Sequence, residues 1–368
     1  MKKIFTFIAV VAVVLGMASC GQNEPSQKAF AFRLVRYGDM AAEVCVTPTN
    51  MQALYIIGYA TKERVWKDEY LASYLEEFRL AGHTYQELVD KNEIRSGIRY
   101  IEDTNLEPGK EYIFYACQVD EELKIVNLEF EHVKTLPAGQ LPGEFSVSAD
   151  KKVRFSKGNL RKKLVGAYYF AENQWDAVGQ ENQTGTATYY DLLPWGVSEQ
   201  GDTSYVDFGT KPIVNGGNEA NQWRTLTADE WKYLIDHAKV GYGAIAGVEG
   251  LILVPSEVDD VELKEKDNFF TQKEWWKMEV LGAVFLPLTG YKEMSSIVTD
   301  LDEGYYWSST LDTNKGSEDH STWKLKYLHI DNGLDCGGDI RNCFWTDYNP
   351  FGDYCAFRCA VRLVQDVK

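Results

Sequence analysis

The pattern of apolar and polar residues predicts two helices that begin with the same signature. Thr227 and Glu230 have the S/T-x-x-E spacing of a capping box, in which each side chain bonds the backbone amide of the other residue. Thr271 and Glu274 repeat that spacing further along the chain. After the first box, four apolar residues recur at the spacing of one helical face: Trp231, Leu234, Ile235 and Ala238. Each box therefore predicts a helix with a buried face, and the second helix contains two adjacent tryptophans.

The first third of the chain combines strand and helix patterns. Residues 42–46 alternate as β-strands do, residues 54–59 do so in part, and residues 113–117 form a further strand-like run. Between them, residues 68–80 carry tyrosine, leucine and phenylalanine at helical spacing, and residues 85–89 predict a second short helix. This region is therefore predicted to be mostly β with a helical insertion.

The remainder of the chain contains several short apolar runs that predict buried strands. They are residues 250–255, 282–287, 305–308 and 323–328. We expect the last two to pair with each other. Two helices among many short strands and long loops favour an α+β arrangement over a doubly wound sheet or a barrel.

A break in the pattern divides the chain. Residues 137–143 hold two successive turn signals, Pro-Ala-Gly at 137–139 and Pro-Gly at 142–143, which neither a helix nor a central strand tolerates. We expect a short, stiff linker there, between a first domain at residues 29–136 and a second at residues 144–368.

The N-terminus has the features of a lipoprotein signal peptide. Lys2 and Lys3 precede an apolar run from Ile4 to Gly16, and Met17-Ala18-Ser19-Cys20 matches a lipobox. Residues 1–19 are therefore predicted to be removed, and Cys20 to be acylated and to anchor the chain in a lipid bilayer. Residues 20–28 would form a polar tether. The alternative is an ordinary secretory peptide in which the cysteine occurs by chance.

Composition excludes some partners. The chain has 368 residues, of which 45% are hydrophobic, and a formal net charge of −17. These values are typical of globular domains, and the negative charge argues against nucleic acid or an anionic membrane surface as the main partner. The 10 tryptophans and 22 tyrosines suit both β-rich cores and surfaces that bind sugars or proteins.

One motif of the first domain resembles fibronectin type III domains. Residues 106–112 read L-x-P-G-x-x-Y and are followed by an apolar strand. The resemblance implies a β-sandwich in which Tyr112 bonds back to upstream backbone as a tyrosine corner. The helical insertion departs from the usual pattern of that family.

Three motifs of the second domain resemble another superfold. They are W-R-x-x-T-x-x-E-W at residues 223–231, Y-Y-W-S-S at 305–309 and F-R-C-A-V-R at 357–362. Together they resemble the formylglycine-generating-enzyme and C-type-lectin-like superfold, and more closely the lipoprotein modules of Bacteroidota that share it. The resemblance implies a mainly β fold with α-helices, and a place in the cell envelope at the outer membrane, with cell-surface exposure as a further expectation.

The cysteines permit several states. Cys336, Cys343, Cys355 and Cys359 lie close together in sequence, which in an extracytoplasmic compartment indicates two disulfides in one of three connectivities. Free buried thiols and a zinc site are the alternatives. Cys45 and Cys117 alternate with residues that we expect to point inward on two strands, and we expect unpaired thiols there. The enzymes of the second family use cysteines separated by four residues, whereas the spacings here are six and three, so thiol oxidation is not favoured.

Other catalytic patterns are absent from the sequence. None of the five histidines belongs to an H-E-x-x-H motif, and neither a G-x-S-x-G elbow nor a P-loop occurs. A glycosidase pair stays open because carboxylates are abundant and the sequence selects no two of them.

The best binding candidate is the segment at residues 344–354. It contains five aromatic residues and oxygen donors of the kind that a Ca²⁺ site uses. The candidate ligand-binding residues are Trp345, Asp347, Asn349 and Asp353. The alternative is an acidic aromatic loop that packs on its own domain, and the segment lacks the E-P-N or Q-P-D triplet of calcium-dependent sugar binders.

The leading hypothesis is a non-enzymatic, lipid-anchored envelope protein. A fibronectin-like spacer would present a lectin-like domain to a glycan or an extracellular protein. An enzyme on the same superfold, either a thiol oxidase or a glycan-active hydrolase, is the first alternative. A structural subunit of a surface assembly is the second.

Overall fold

The computed structural model describes residues 28–62, 70–176, 178, 188–197, 205–259, 261–293, 296–298, 303–312, 324–331, 346–348 and 357–367. Within these residues the chain is mainly β with four α-helices, as the sequence predicts. The predicted signal peptide, Cys20 and the tether up to residue 27 lie outside them.

The N-terminal part consists of two antiparallel three-stranded sheets. Its strands are β1 Phe30–Tyr37, β2 Ala42–Pro48, β3 Ile56–Thr61, β4 Arg99–Asp103, β5 Glu111–Val119 and β6 Ile125–Lys134. One sheet has the order β1-β2-β4 and the other has the order β3-β5-β6. Side chains from both sheets form a shared core, which includes Val44, Tyr55 and Phe114.

Two helices are inserted between β3 and β4. They are α1, Tyr70–Leu80, and α2, Tyr85–Asp90. Thr84 and Glu87 form a capping box at the start of α2. Apolar side chains of both helices pack against β5 in a second core. Both helices agree with the predicted insertion, which the structure describes from Tyr70 onward.

The hydroxyl of Tyr112 confirms a specific prediction. It accepts a hydrogen bond of 2.8 Å from the backbone amide of Glu107, five residues upstream. The ring is buried in the core between the two sheets. This bond fixes the loop before β5 to the sheet that follows it.

The C-terminal part contains many short strands. They are β7 Gln140–Ser146, β8 Lys152–Ser156, β9 Leu160–Lys163, β10 Tyr168–Phe170, β11 Tyr189–Tyr190, β12 Arg224–Thr225, β13 Lys239–Ile245, β14 Val248–Val254, β15 Asn268–Phe270, β16 Val284–Pro287, β17 Tyr291–Glu293, β18 Ser296–Val298, β19 Glu303–Asp312, β20 Lys324–Asp331, β21 Thr346–Tyr348 and β22 Leu363–Asp366. They form sheets of order β12-β22-β8-β7, β10-β9-β11, β15-β13-β14-β16, β17-β18 and β19-β20-β21. The predicted pairing of the two late strands is confirmed, because β19 and β20 run antiparallel to each other.

Both capping boxes of this part start the predicted helices. Helix α3 spans Ala228–His237 and helix α4 spans Gln272–Val280. In each helix the threonine hydroxyl accepts from the amide three residues on, and the glutamate accepts from the threonine amide. Trp231 of α3 and Trp275 of α4 are fully buried.

The predicted linker at residues 137–143 lies partly within a strand. Residues 140–143 belong to β7, at the edge of its sheet, and the pairing of β7 with β8 is irregular between Gln140 and Glu144. An edge position with an irregular register tolerates Pro142, which has no amide hydrogen to donate. Gly143 is required there, because a Cβ at that position would lie 2.0 Å from the carbonyl oxygen of Gly282.

The two parts are joined by several contacts. The Leu136 amide donates to the Gly38 carbonyl at 3.0 Å, and the Gly139 amide donates to the Asp39 carboxylate at 2.8 Å. Lys157, which follows β8, lies 3.7 Å from the same carboxylate. Backbone and side chains of both parts therefore hold the junction in one arrangement.

Candidate functional site

The three motifs that carry the second resemblance lie together in the C-terminal part. The Ser309 amide donates to the Leu226 carbonyl at 2.9 Å, and the Ala360 amide donates to the Tyr305 carbonyl at 3.0 Å. Strand β12 pairs with β22 immediately after the last motif. These motifs therefore build one structural unit, the sheet β19-β20-β21 and its surroundings.

The predicted binding segment joins this sheet at its edge. Strand β21 pairs with β20, and the register places Asp347 opposite Lys326. Trp345, Asn349 and Asp353 lie outside the described residues. The structure thus locates the backbone of one candidate residue, and the predicted ligand set stays a prediction.

Each face of the sheet belongs to a different core. Tyr306 and Leu328 point to a core that includes helix α3. Their neighbours Tyr305 and Tyr327 belong to a second core on the other face. The alternation follows from the two-residue period of a strand.

The second face is largely aromatic. The ring centroids of Tyr291 and Tyr305 lie 5.0 Å apart, those of Tyr291 and Phe357 lie 4.8 Å apart, and those of Tyr305 and Tyr327 lie 5.6 Å apart. Tyr291 keeps part of its surface exposed, whereas the other three rings are buried. We call these four rings the aromatic wall. Because Thr346 of β21 pairs with Tyr327, the described part of the candidate segment lies beside this wall.

A polar cluster lies at the start of β19. The Tyr305 hydroxyl donates to the Glu303 carboxylate, and Nε2 of His329 lies 3.4 Å from the same carboxylate. The rings of Tyr305 and His329 stack at 4.7 Å. Burial and the neighbouring Glu303 raise the pKa of Tyr305, so its hydroxyl stays protonated and can donate. The cluster places a carboxylate, the hydroxyl bonded to it and an imidazole side by side on β19 and β20.

A buried cation lies behind the sheet. Arg362 is completely buried, and its guanidinium donates to Gln174 Oε1 at 2.9 Å and to Asn159 Oδ1 at 3.3 Å. Burial lowers the pKa of Arg362 to about 10, so it remains protonated at neutral pH. Asn159 in turn donates to the Tyr306 hydroxyl at 3.3 Å. The network links the C-terminal strand to the loops that follow β8 and β10.

Glu279 of α4 continues this network toward the N-terminal part. Its Oε1 accepts from Gln174 Nε2 at 2.8 Å and from Trp275 Nε1 at 3.2 Å. Burial raises the pKa of Glu279 to about 7, although these bonds and the charges of Arg36 and Arg362 favour the ionised form. The carboxyl group is therefore poised to change charge near neutral pH, at the junction of the two parts.

The described cysteines are buried thiols. Cys45 and Cys117 are free and buried, and they lie on β2 and β5. Cys359 is also free and buried, and Cys336, Cys343 and Cys355 lie outside the described residues. Burial raises the pKa of Cys117 to about 12 and that of Cys359 well above its usual value. Thiols held protonated in this way are poor nucleophiles.

A groove of about 700 Å³ lies in the N-terminal part, between the two helices and the turn that joins β5 to β6. Leu75 and Leu123 contribute to its apolar lining. Its two cations are already paired, Arg79 with Glu76 and Lys124 with Glu122. We assign it no ligand, because both of its cations are already bound to carboxylates of the protein.

Sequence reasoning missed the polar groups that organise this region. Arg362 had a detectable signal, since it is a charged residue inside the otherwise apolar run from Val361 to Val364. Gln174 and Glu279 had none, because their partners are about 100 residues away in the chain. Among the described residues, no group of three or more histidine, cysteine, aspartate or glutamate side chains is placed to hold a metal ion.

Comparisons with known proteins found no match to this chain. No protein-family model, curated protein or solved structure matches the chain. No helix in the described ranges is both long enough and apolar enough to cross a membrane.

Proposed function

We propose that the chain is a lipid-anchored envelope protein whose C-terminal part binds a glycan or an extracellular protein. Acylated Cys20 would hold it in the bilayer, at the outer membrane and facing the cell surface. Residues 29–136 would act as a fibronectin-type-III-like spacer, and residues 144–368 as a C-type-lectin-like binding domain.

The observation that carries this proposal is the position of the two ends of β1. At its first end, the Thr49 amide donates to the Ala29 carbonyl at 2.8 Å, next to the point where the tether would leave. At its other end, Gly38 and Asp39 bond the segment that leads into the C-terminal part. Eight residues of strand span about 26 Å. With the tether at one end of this strand and the junction at the other, the N-terminal part would act as a spacer between them.

Three features support a fibronectin-like spacer. Its sheets have the orders β1-β2-β4 and β3-β5-β6, as in a small β-sandwich of that type. The Tyr112 hydroxyl makes the hydrogen bond of a tyrosine corner. The helices are confined to the connection between β3 and β4, where they leave the strand order intact.

The aromatic wall and its polar cluster support a binding role for the C-terminal part. Rings with polar edges contact the faces of sugars and the side chains of protein ligands. Glu303, Tyr305 and His329 add hydrogen-bonding groups on the strands that lead to β21. The segment with Trp345, Asp347, Asn349 and Asp353 would complete the site, with Ca²⁺ as a candidate cofactor.

Two experiments test the proposal. The intact mass of the mature protein should correspond to a chain that begins at Cys20 and carries acyl groups, and Cys20→Ser should release the protein from membranes. Residues 28–368, screened against glycan and extracellular-matrix arrays with calcium and with chelator, should give saturable binding. A mature chain without lipid contradicts the anchor, and a screen without a ligand contradicts the binding role.

A further inference from the structure

Two cations lie directly opposite each other next to the aromatic wall. Lys292 of β17 and Arg358 form an antiparallel bridge, in which the Lys292 amide donates to the Arg358 carbonyl at 2.9 Å and the Arg358 amide donates to the Lys292 carbonyl at 2.8 Å. Residues that exchange both backbone bonds point their side chains to the same face of a sheet, with Cα atoms about 5.5 Å apart. The ammonium and the guanidinium are therefore presented side by side.

The preceding residue on each strand identifies the face on which they lie. The rings of Tyr291 and Phe357 are 4.8 Å apart and belong to the aromatic wall. Because successive side chains of a strand alternate, Lys292 and Arg358 point to the opposite face. Ala360, two residues after Arg358, lies in the core that includes helix α3. The two cations thus lie at the margin of this core, where both are partly buried.

Within the described ranges, no carboxylate neutralises this pair. Neither Lys292 nor Arg358 forms an ion pair or a side-chain hydrogen bond with another described residue. The Glu303 carboxylate of β19 is already engaged on the other face, where it accepts from the Tyr305 hydroxyl and lies 3.4 Å from Nε2 of His329. Two adjacent positive charges are therefore left without a partner in a chain whose net charge is −17.

This arrangement lowers stability as it stands. Like charges directly opposite each other on a sheet repel, and partial burial removes some of the water that would hydrate them. Burial and the charge of Arg358 lower the pKa of Lys292. An anion bound between the two groups would replace the repulsion with two charge-assisted contacts. Local arrangements that cost stability in this way are characteristic of functional sites.

Charge and donor geometry select the class of ligand. A guanidinium presents a planar fork of N–H donors that matches two oxygens of a phosphate, and an ammonium adds a compact charge with three donors. A phosphate monoester carries a charge of about −1.5 to −2 near pH 7, which balances two cations. A carboxylate would leave one cation unpaired, and two cations provide too few contacts for a nucleic acid backbone.

We propose that Lys292 and Arg358 form a binding site for the phosphate group of a small, soluble phosphate monoester. The arginine fork holds two of the phosphate oxygens, and the lysine neutralises the remaining charge. The site goes beyond the proposed function, because it shares no residue with the aromatic wall or with the segment at residues 344–354.

The test is a calorimetric titration of residues 28–368 with inorganic phosphate and with glucose 6-phosphate near neutral pH, with sodium acetate at equal ionic strength as the reference. The wild type should bind both phosphate compounds more tightly than acetate. Lys292→Gln and Arg358→Gln should each weaken phosphate binding about fivefold, which corresponds to about 1 kcal/mol. Lys232→Gln removes the same charge from an exposed helix position and should change the affinity less than about twofold.

Thermal unfolding gives a second readout. Without phosphate, Lys292→Gln should unfold at the temperature of the wild type or above it, because the substitution removes the repulsion with Arg358. Added phosphate should raise the midpoint of the wild type and of Lys232→Gln, but not that of Lys292→Gln. Sodium chloride at equal ionic strength screens the repulsion without filling the site, so it should raise the wild-type midpoint by less than phosphate does.

Three results would overturn the proposal. They are no binding of either phosphate compound, equal effects of phosphate and acetate, and equal losses of affinity in Lys292→Gln and Lys232→Gln. Phosphatidylcholine vesicles that contain phosphatidic acid form a further arm. Tighter binding to these vesicles than to glucose 6-phosphate, through the same two residues, would overturn the soluble ligand in favour of a lipid headgroup.

Discussion

The guanidinium of Arg36 lies 4.2 Å from the centre of the Trp276 ring. Arg36 belongs to β1 of the N-terminal part and Trp276 to α4 of the C-terminal part. The contact lies one helical turn from Glu279, whose carboxylate interacts with the charge of Arg36. Together with the bonds of Asp39, it couples the N-terminal part to the C-terminal part.

A double-mutant cycle should detect this coupling. A cation over a tryptophan ring contributes about 0.5–2 kcal/mol, depending on how far it is desolvated. Arg36→Ala and Trp276→Ala should therefore lower the free energy of unfolding by less in combination than the sum of their separate effects, by about 1 kcal/mol. Denaturant unfolding of the four proteins measures this. Strictly additive effects would show that the contact does not stabilise the junction.

The free energy of unfolding should depend on pH because the pKa of Glu279 is raised in the folded chain. Its pKa is about 7 in the folded chain, against about 4.3 for an unfolded glutamate. Between those values the folded carboxyl keeps its proton and the unfolded one has lost it, so unfolding releases a proton. Stability due to this group should therefore fall as pH rises from about 4 to 7 and level off above 7.

Glu279→Gln should remove that slope, which amounts to about 3–4 kcal/mol across the interval. Unfolding free energies of both proteins at several pH values measure it. Glu274→Gln provides a control of opposite sign, because the Thr271 amide lowers the pKa of Glu274 and its stabilisation is present only above the unfolded pKa. Parallel pH profiles for the wild type and Glu279→Gln would contradict the assignment.

Removal of the buried guanidinium should be costly. Arg362→Met leaves Asn159 Oδ1 without its donor and takes one of two donors from Gln174 Oε1. We expect a loss of about 2–4 kcal/mol in the free energy of unfolding. Arg358→Met, at the less buried arginine of the same motif, should cost under about 1 kcal/mol. Equal losses would show that the network around Arg362 is not specifically required.

The Tyr112 hydroxyl of the N-terminal part should have a measurable effect on stability. Tyr112→Phe keeps the buried ring but leaves the Glu107 amide without its acceptor, which should cost about 1–2 kcal/mol. Tyr233→Phe, on α3, removes a hydroxyl that bonds nothing among the described residues and should be neutral. Thermal unfolding of the two variants compares them, and equal midpoints would contradict the role of Tyr112.

Features with local causes could be predicted from the sequence. The boxes at Thr227 and Thr271 need only residues three apart, so both helices were predicted with their starting residues. The bond of Tyr112 spans five residues and belongs to a recognisable motif. The strand that contains Pro142 could not be predicted in this way. Its edge position depends on pairing with β8, and the local sequence does not reveal that pairing.

Features with distant causes could not be predicted. Arg362 donates to Gln174 and Asn159, which lie 188 and 203 residues away in the chain. The opposed cations of the proposed phosphate site are visible in the sequence, but their pairing joins segments that are distant in the chain. Local sequence patterns say least about the structure of ligand-binding segments. Three of the four candidate residues in the segment at residues 344–354 lie outside the described structure.

The most direct test of the account is the affinity of the best ligand from the array screen for Trp345→Ala and Asp347→Ala. The account predicts that each variant weakens binding at least about tenfold while its thermal stability stays near that of the wild type. Lys232→Ala should bind as the wild type does. An unchanged affinity in both variants would contradict a binding site in the segment at residues 344–354.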